Sequence, residues 1–405
     1  MARPHKTVII GGVAGGMSAA TRLRRLDEKA DIVVLERSGN VSFANCGLPY
    51  HLSGTIEHRS SLVLQTPASL KARFALDVRI KSEVIAIDRA ARTVTVVDSA
   101  AGTEYTESYD SLVLSPGAAP IMPVLEGSGR AMPMRDVEDV DRAMAWLLSK
   151  PESAVILGAG FIGIEVAENL VKRGLKVTMI QRGSQVLNML DPEMAVVMAT
   201  RLRAAGIDLR LNSTVASFTK TSVELMDGSV IAADVIFSAM GVTPEIGLAH
   251  AAGLTIGDNG GIWVDQFQRT SDPAIYAVGD AAEKTDAITG EARIATLAGL
   301  ANRHGHAVAN HIATGTAASA TPALGTSIVS FENLAAASVG LNEKSLRSRG
   351  ITPRIVHTHP ANHAAYYPGA QTMRLKLLVD PETDKILGAQ GLGGDGVDKR
   401  MDVIA

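Results

Sequence analysis

One thiol stands alone among the 405 residues: Cys46, within Ser42-Phe43-Ala44-Asn45-Cys46-Gly47-Leu48-Pro49-Tyr50. A single cysteine excludes an intrachain disulfide, a two-cysteine zinc site and a dithiol within one copy of the chain. Such a thiol is either a small buried apolar side chain or a nucleophile. Gly47 to Leu52, followed by Ser53-Gly54, reads as a short helix with a glycine stop. Pro49 suits its first turn, and Asn45 or Ser42 is available to cap it. That would put Cys46 at a helix N-terminus, where free amides and the helix dipole stabilise a thiolate. The thiolate is the form that attacks disulfides and peroxides. Without a second cysteine, its oxidised form must be a mixed disulfide with a small thiol, or a sulfenic acid.

Two glycine-rich turns decide between the inert and the reactive thiol. Strand-like Thr7–Ile10 leads into Gly11-Gly12-Val13-Ala14-Gly15-Gly16, then a helix over Met17–Leu26 and a strand Ile32–Leu35 ending at Glu36. This order is that of a dinucleotide-binding unit: glycines let the backbone approach a pyrophosphate, the helix start stabilises its charge, and the acid accepts from ribose hydroxyls. The middle glycine of the fingerprint is replaced by Val13. A second unit runs through Ala154–Leu157, Gly158-Ala159-Gly160-Phe161-Ile162-Gly163, a helix Ile164–Lys172 and a strand Lys176–Ile180, with all three glycines present. It ends in Gln181-Arg182. Without a carboxylate there, a 2′-phosphate is not repelled and Arg182 can pair with it, which favours NADPH over NADH; alternatively Arg182 is a solvated loop charge.

Other elements must position these groups. A short helix is expected at Pro67–Phe74 among strands between Val63 and Val97, and a buried strand at Leu112–Leu114 before Ser115-Pro116-Gly117. An antiparallel meander is expected over Thr214–Val230, and a strand from Val235 to Gly241. Ile275–Asp280 reads as a strand ending in an acid, followed after Ala281-Ala282 by a long helix through Asn302. Gly315–Thr321 reads as a small-residue linker. Beyond it, Thr326–Val339 and Arg374–Val379 read as sheet strands, and a helix starts near Gly396. A length of 405 residues with 46% hydrophobic and 20% charged residues supports two or three packed domains. The net charge of −3, with interspersed signs, gives no footprint for nucleic acid. No apolar run is long enough for a membrane span or a secretory leader, and a reducing, cytoplasmic location is expected.

These motifs together resemble the flavin-dependent pyridine nucleotide–disulfide oxidoreductases, in their single-cysteine branch. The carriers are Gly11–Gly16, Ser42–Tyr50, Ser115-Pro116-Gly117, Gly158–Gly163, Ile275–Asp280 and His363-Ala364-Ala365-Tyr366-Tyr367-Pro368-Gly369. Ser42–Tyr50 and the Tyr-Tyr-Pro-Gly stretch are most similar to coenzyme A-disulfide reductases. The resemblance implies an α/β fold with two Rossmann-like domains and a C-terminal α+β dimerisation domain. FAD would occupy 1–122 and 245–322, NAD(P)H would occupy 123–244, and 323–405 would form an incomplete dimerisation domain of a homodimer.

Candidate FAD contacts are Gly11, Gly12, Val13, Ala14, Gly15, Gly16, Glu36, Arg37, Asn45, Ser115, Gly117, Gly279 and Asp280. Candidate NAD(P)H contacts are Gly158, Gly160, Phe161, Ile162, Gly163, Glu165, Gln181, Arg182 and Gly241. Phe161 stands where many relatives carry a tyrosine that shields the nicotinamide pocket. Electrons would leave the flavin for Cys46 and reduce coenzyme A disulfide or a related persulfide or polysulfide. The alternative is an oxidase or peroxidase cycling through a Cys46 sulfenic acid. A more distant reading is a reductase that passes single electrons to a protein. Ser18, Arg22, Arg25, Ser42, Asn45 and Asn302 would bind the coenzyme A substrate, with Arg303 near them; the arginines also read as a solvated helix face. Tyr366 or Tyr367 would reach the partner subunit's thiol, or both are interface aromatics. His357, His359 and His363 lack an accompanying cysteine or carboxylate in the sequence, and no metal is expected. The resemblance further implies a C-terminal helix and a tyrosine-containing tail beyond Ala405.

Overall fold

The computed structural model describes residues 3–316 and 318–405, so that Ala317, within the expected linker, lies outside the described residues. The chain divides into two compact units: 1–45, 59–119 and 242–323 form the first, and 46–58, 120–241 and 324–405 form the second.

In the first unit the apolar runs become a five-stranded parallel sheet. Its order is Ile275–Ala277, Ser111–Leu114, Lys6–Ile10, Asp31–Leu35, Asp77–Arg79. Alternation along each strand feeds two cores. Val8, Ile10, Val33, Leu35, Leu112 and Leu114 face one side, while Ile9, Ile32, Val34 and Val113 face the other. Continuous apolar runs are therefore the natural strands of a sheet covered on both faces. On the second side, helix Ala14–Leu26 lies against helix Ala298–Thr314. Their approach is close because a Cβ on Gly305 would stand 2.3 Å from the Gly15 carbonyl oxygen. An antiparallel sheet of Ser82–Asp88, Thr93–Asp98 and Thr103–Ser108 adds to this unit.

The second unit contains another five-stranded parallel sheet, in the order Asp208–Arg210, Lys176–Ile180, Ser153–Leu157, Val235–Ser238, Ala131–Met132. The meander appears as Val215–Phe218, Ser222–Leu225 and Val230–Ala232. A five-stranded antiparallel sheet follows, ordered Ser327–Phe331, Leu334–Gly340, Ile386–Gly393, Arg374–Val379, Arg354–Thr358. Helix Val397–Ile404 packs on it through Val397 and Met401. Lys376, fully buried, joins this sheet to the loops and helices beside it. Its ammonium donates to Asp191 (2.8 Å), Glu193 (2.5 Å) and Glu343. Asp191 also accepts from Gln390 Nε2 at 2.6 Å.

The expected α/β class, with two parallel dinucleotide-type sheets and a C-terminal α+β region, is what the chain forms. One expected element differs. No long helix follows Ala282; a hairpin of Lys284–Thr285 and Ala292–Arg293 intervenes. Asp286 turns that hairpin by accepting from the Ile288 and Thr289 amides, 2.8 and 2.9 Å away. The helix then starts at Ala298 and runs to Thr314, well past Asn302, where Gly315 stops it with φ +67°.

Candidate active site

The first glycine turn is built around contacts that only glycine allows. Gly11 has φ +99°, and a Cβ there would lie 2.1 Å from the Ser115 carbonyl oxygen. A Cβ on Gly16 would lie 2.0 Å from the Gly11 carbonyl oxygen. The turn therefore closes tightly between neighbouring strand ends and the helix start. Glu36, 8% exposed, sits at the end of the adjacent strand. Its two carboxylate oxygens accept from the Gly12 and Ser38 amides, each at 2.8 Å, with lone pairs remaining for ribose hydroxyls. Ser115 Oγ accepts from the Gly16 amide at 3.1 Å. Helix Ala14–Leu26 starts at Val13 without a side-chain cap and without an acid in its first turn. Uncapped amides at a positive dipole end, which donate, and a nearby carboxylate, which accepts, suit the pyrophosphate and the ribose of a dinucleotide.

The second turn repeats this construction. Gly158 has φ +106° with its Cβ direction 2.2 Å from the Ala239 carbonyl oxygen, and a Cβ on Gly163 would meet the Gly158 carbonyl oxygen at 2.2 Å. Gly11 donates to Leu35 O (2.9 Å) and Gly158 to Ile180 O (2.8 Å). Gly12 donates to Glu36, and its counterpart Ala159 donates to Gln181 Oε1 at 3.2 Å. The amide thus takes the carboxylate's structural role without its charge. At the middle position, a Cβ on Gly160 would meet nothing within 4 Å. This matches Val13 at the same position of the first turn: the first and last glycines are demanded by backbone packing, and the middle one is not. Arg182 is exposed at the strand end, and Ile162 is exposed in the first turn of helix Phe161–Lys172, which Phe161 opens.

Several other candidates of the first unit are grouped on its helix pair. Ser18 Oγ donates to Asn302 Oδ1 at 3.0 Å, and Arg22 Nε donates to Asn310 Oδ1 at 2.9 Å. Arg25 is exposed, with its guanidinium 5.7 Å from the Phe74 ring centre, and Arg303 is exposed. Burial first, then Arg22 and Arg25, hold His306 below its ordinary pKa. Ser42 has φ +49° and donates its amide to Gly12 O at 2.8 Å, and Asn45 is exposed. Gly117, φ +80°, accepts from the Glu245 amide at 3.0 Å. Arg37 is engaged by Glu245 through two bonds of 2.8 and 2.5 Å. Gly279, φ +74°, opens the one-turn helix Gly279–Ala281 that carries Asp280. In the second unit, Gly241 has φ +109° and accepts from the Ile121 amide at 2.9 Å.

The surroundings of Cys46 correct two expectations. Cys46 lies in a one-turn 3-10 helix, Asn45–Gly47, that runs into helix Leu48–Ser53. The cap position of that helix is Gly47, which has no side chain, so neither Asn45 nor Ser42 caps it; Gly54 ends it with φ +84°. The thiol, at the surface, is pushed up from its ordinary value rather than down. Partial dehydration is the main cause and the Glu165 carboxylate the second, outweighing a backbone hydrogen bond. Glu165 is on helix Phe161–Lys172, which packs against Leu48–Ser53. Its Oε1 accepts from Tyr50 Oη at 3.4 Å. Burial pushes the Glu165 carboxyl up to about 7, with Glu168 adding to it. Tyr50 is pushed up to about 12, by burial first and Glu165 second. Ser53 Oγ donates to Asn169 Oδ1 at 2.6 Å, and Arg173 donates to the Leu52 carbonyl, fixing the two helices together.

Tyr366 and Tyr367 are 92% and 66% exposed, and the Tyr367 ring lies edge-on to His363 with centres 5.5 Å apart. His357 does have a carboxylate neighbour, Glu193 Oε1 at 3.7 Å, contrary to the sequence reading. That oxygen is bonded to Lys376, and the cluster of Asp191, Glu193 and Glu343 is organised around the same ammonium. Two features had no local signature: the Tyr50–Glu165 pair, and Lys284, buried in a stretch expected to belong to a long helix. Among the described residues no helix is long and apolar enough to cross a membrane.

A family model described as pyridine nucleotide-disulphide oxidoreductase matches residues 5–305, and the dimerisation domain of the same family matches residues 326–405. The coenzyme A disulfide reductase of Staphylococcus aureus (strain JH9) is 32% identical over 401 residues, covering 99% of this chain and 91% of that protein. The crystal structure of reduced CoADR-RHD from Bacillus anthracis is 42% identical with a TM-score of 0.97, covering 99% of this chain and 73% of that one. The NAD-dependent persulfide reductase from A. fulgidus is 36% identical with a TM-score of 0.95, covering 98% of this chain and 75% of that one.

Proposed function

The chain belongs to the pyridine nucleotide-disulphide oxidoreductases, and from that premise we propose that it uses NAD(P)H to reduce coenzyme A disulfide, or a related coenzyme A persulfide, through Cys46. The observation that carries this reading is the single thiol, set between two dinucleotide turns in sequence. Relatives named as a coenzyme A disulfide reductase and a persulfide reductase support the substrate class.

In this reading Gly11–Gly16, Glu36, Ser115 and Asp280 hold FAD, and Gly158–Gly163, Gln181 and Arg182 hold NAD(P)H. FAD, when bound, supplies the two-electron relay from a nicotinamide to a disulfide. Cys46 acts as the nucleophile: its thiolate attacks one sulfur of the disulfide, forms a protein–coenzyme A disulfide and expels the other half as a thiolate. Two electrons from NAD(P)H then cleave that mixed disulfide. In sum, one disulfide, one NAD(P)H and one proton give two thiols and NAD(P)+. The raised Cys46 thiol requires a proton acceptor before attack, and Glu165, which acts on the thiol from the helix packed against Leu48–Ser53 and accepts from Tyr50, is the titratable carboxyl for that role. Ser18, Arg22, Arg25 and Asn302 offer charge and hydrogen bonds to the phosphates of the coenzyme. A homodimer, with Tyr366 or Tyr367 serving the partner's thiol, completes the proposal; the dimerisation-domain match supports it.

The test is a Cys46→Ser variant with matched flavin content. It should lose NAD(P)H-driven release of thiol from coenzyme A disulfide while still reducing an artificial one-electron dye. Undiminished thiol release by the variant would sink the proposal.

A further inference from the structure

Behind the turn that carries Asp280 sits a lysine that no motif explains. Lys284 is 3% exposed. Its Nζ donates to the carbonyl oxygens of Gly279 (2.5 Å) and Ala282 (2.7 Å), the two residues that bracket the turn. Both acceptors are neutral, and burying an ammonium against carbonyls alone is costly. Burial accordingly pushes Lys284 down to about 8, opposed only by the charge of Asp280.

The remaining charged groups around it are otherwise committed. Glu283 Oε1 accepts from the Asn259 amide at 2.7 Å. Asp286 is bonded to Arg293, across the hairpin from Lys284, at 2.6 Å. His304, on helix Ala298–Thr314, has its Nε2 2.8 Å from the Thr321 carbonyl oxygen and is held below its ordinary pKa by burial. Since a carbonyl only accepts, Nε2 carries a proton, and the buried Nδ1, with no hydrogen-bond partner, disfavours a second one. Asp280 is the charged group that acts on Lys284 at this turn.

We propose that Lys284 is a positioning residue for the flavin cofactor: its ammonium ties both ends of the Gly279–Ala282 turn and fixes the segment presenting Asp280, so the charge of one buried lysine governs how firmly FAD is retained. This rests on the reading that FAD is held at Asp280. Protonated, Lys284 makes charge-assisted bonds to both carbonyls; deprotonated, it loses the charge that strengthens those bonds.

The experiment follows FAD release from the holoprotein by recovery of free-flavin fluorescence between pH 6.5 and 9.5, for the natural chain, Lys284→Met and Asp280→Asn, with far-ultraviolet circular dichroism to confirm folding. The natural chain should release FAD at least about tenfold faster at the alkaline end, the loss of charge assistance in two bonds, with its inflection near the Lys284 titration. Lys284→Met should release it fast and without that inflection. Asp280→Asn should release it faster at every pH. A flat profile for the natural chain overturns the inference, whether or not Lys284→Met folds. So does a folded Lys284→Met variant that keeps the inflection or retains FAD as well as the natural chain, while Asp280→Asn is weakened. Asp280→Asn releasing FAD at the natural rate would instead overturn the placement of FAD on this turn.

Discussion

Replacing Glu165 by Gln tests whether the carboxyl beside Tyr50 is held uncharged by its surroundings. Burial pushes this carboxyl from its ordinary 4.5 up to about 7. At roughly 1.4 kcal/mol per pH unit, that displacement amounts to about 3 kcal/mol between the two protonation states. The sign follows from proton binding. Between pH 4.5 and 7 the folded chain keeps a proton that the unfolded chain has released, so natural stability falls as pH rises through this window. Gln never carries the charge, and its carbonyl can still accept from Tyr50. The variant and the natural chain should therefore have urea-unfolding free energies within about 1 kcal/mol of each other near pH 4.5, where both side chains are neutral. At pH 8.5 the variant should be more stable by roughly 2–3 kcal/mol. Because the Glu165 carboxylate is the second cause of the raised Cys46 thiol, alkylation of Cys46 by iodoacetamide should reach its plateau at lower pH in the variant. A stability difference that is the same at both pH values, with an unmoved alkylation profile, would refute the reasoning.

The two nucleotide turns give further tests. Gly160→Ala has open space around the new methyl, so it should fold normally yet raise KM for the nicotinamide nucleotide in steady-state kinetics. Gly163→Ala drives its methyl into the Gly158 carbonyl oxygen and should lower thermal stability as well. Arg182→Ala should raise KM for NADPH by about tenfold or more, the loss of a charge-assisted contact to the 2′-phosphate, and leave NADH nearly unchanged; equal effects on both nucleotides would return Arg182 to a solvated loop charge.

Much of the framework was legible because local pattern and tertiary demand agree. Pro67–Phe74 and Lys176–Ile180 form over the residues that their patterns predict. The glycines of both turns sit where close backbone approach requires them. Val13 was a departure only on a rule that counts glycines; the open space at Gly160 shows that backbone packing does not demand a glycine at the middle position. What escaped depended on partners far away in the chain. The charge of Cys46 depends first on burial and second on Glu165, on another helix, and a local helix-start argument therefore gave the wrong direction. Lys284 lies in a stretch that reads as part of a long helix, and its burial follows from the Gly279–Ala282 turn, whose carbonyls take its ammonium. The late start of that helix was hidden by an alanine-rich stretch whose composition suits a helix, while Asp286 and Gly290 fold part of it into a hairpin.

The central claim is that Cys46 borrows its disulfide partner from a coenzyme A substrate, and intact-protein mass spectrometry under non-reducing conditions tests it most directly. After incubation with coenzyme A disulfide, the account predicts one coenzyme A adduct per chain, mapped to Cys46 and removed by NAD(P)H. A Cys46 that remains unmodified by the disulfide, but gains a single oxygen on exposure to peroxide that NAD(P)H removes, would contradict it and assign the thiol to oxidase or peroxidase chemistry.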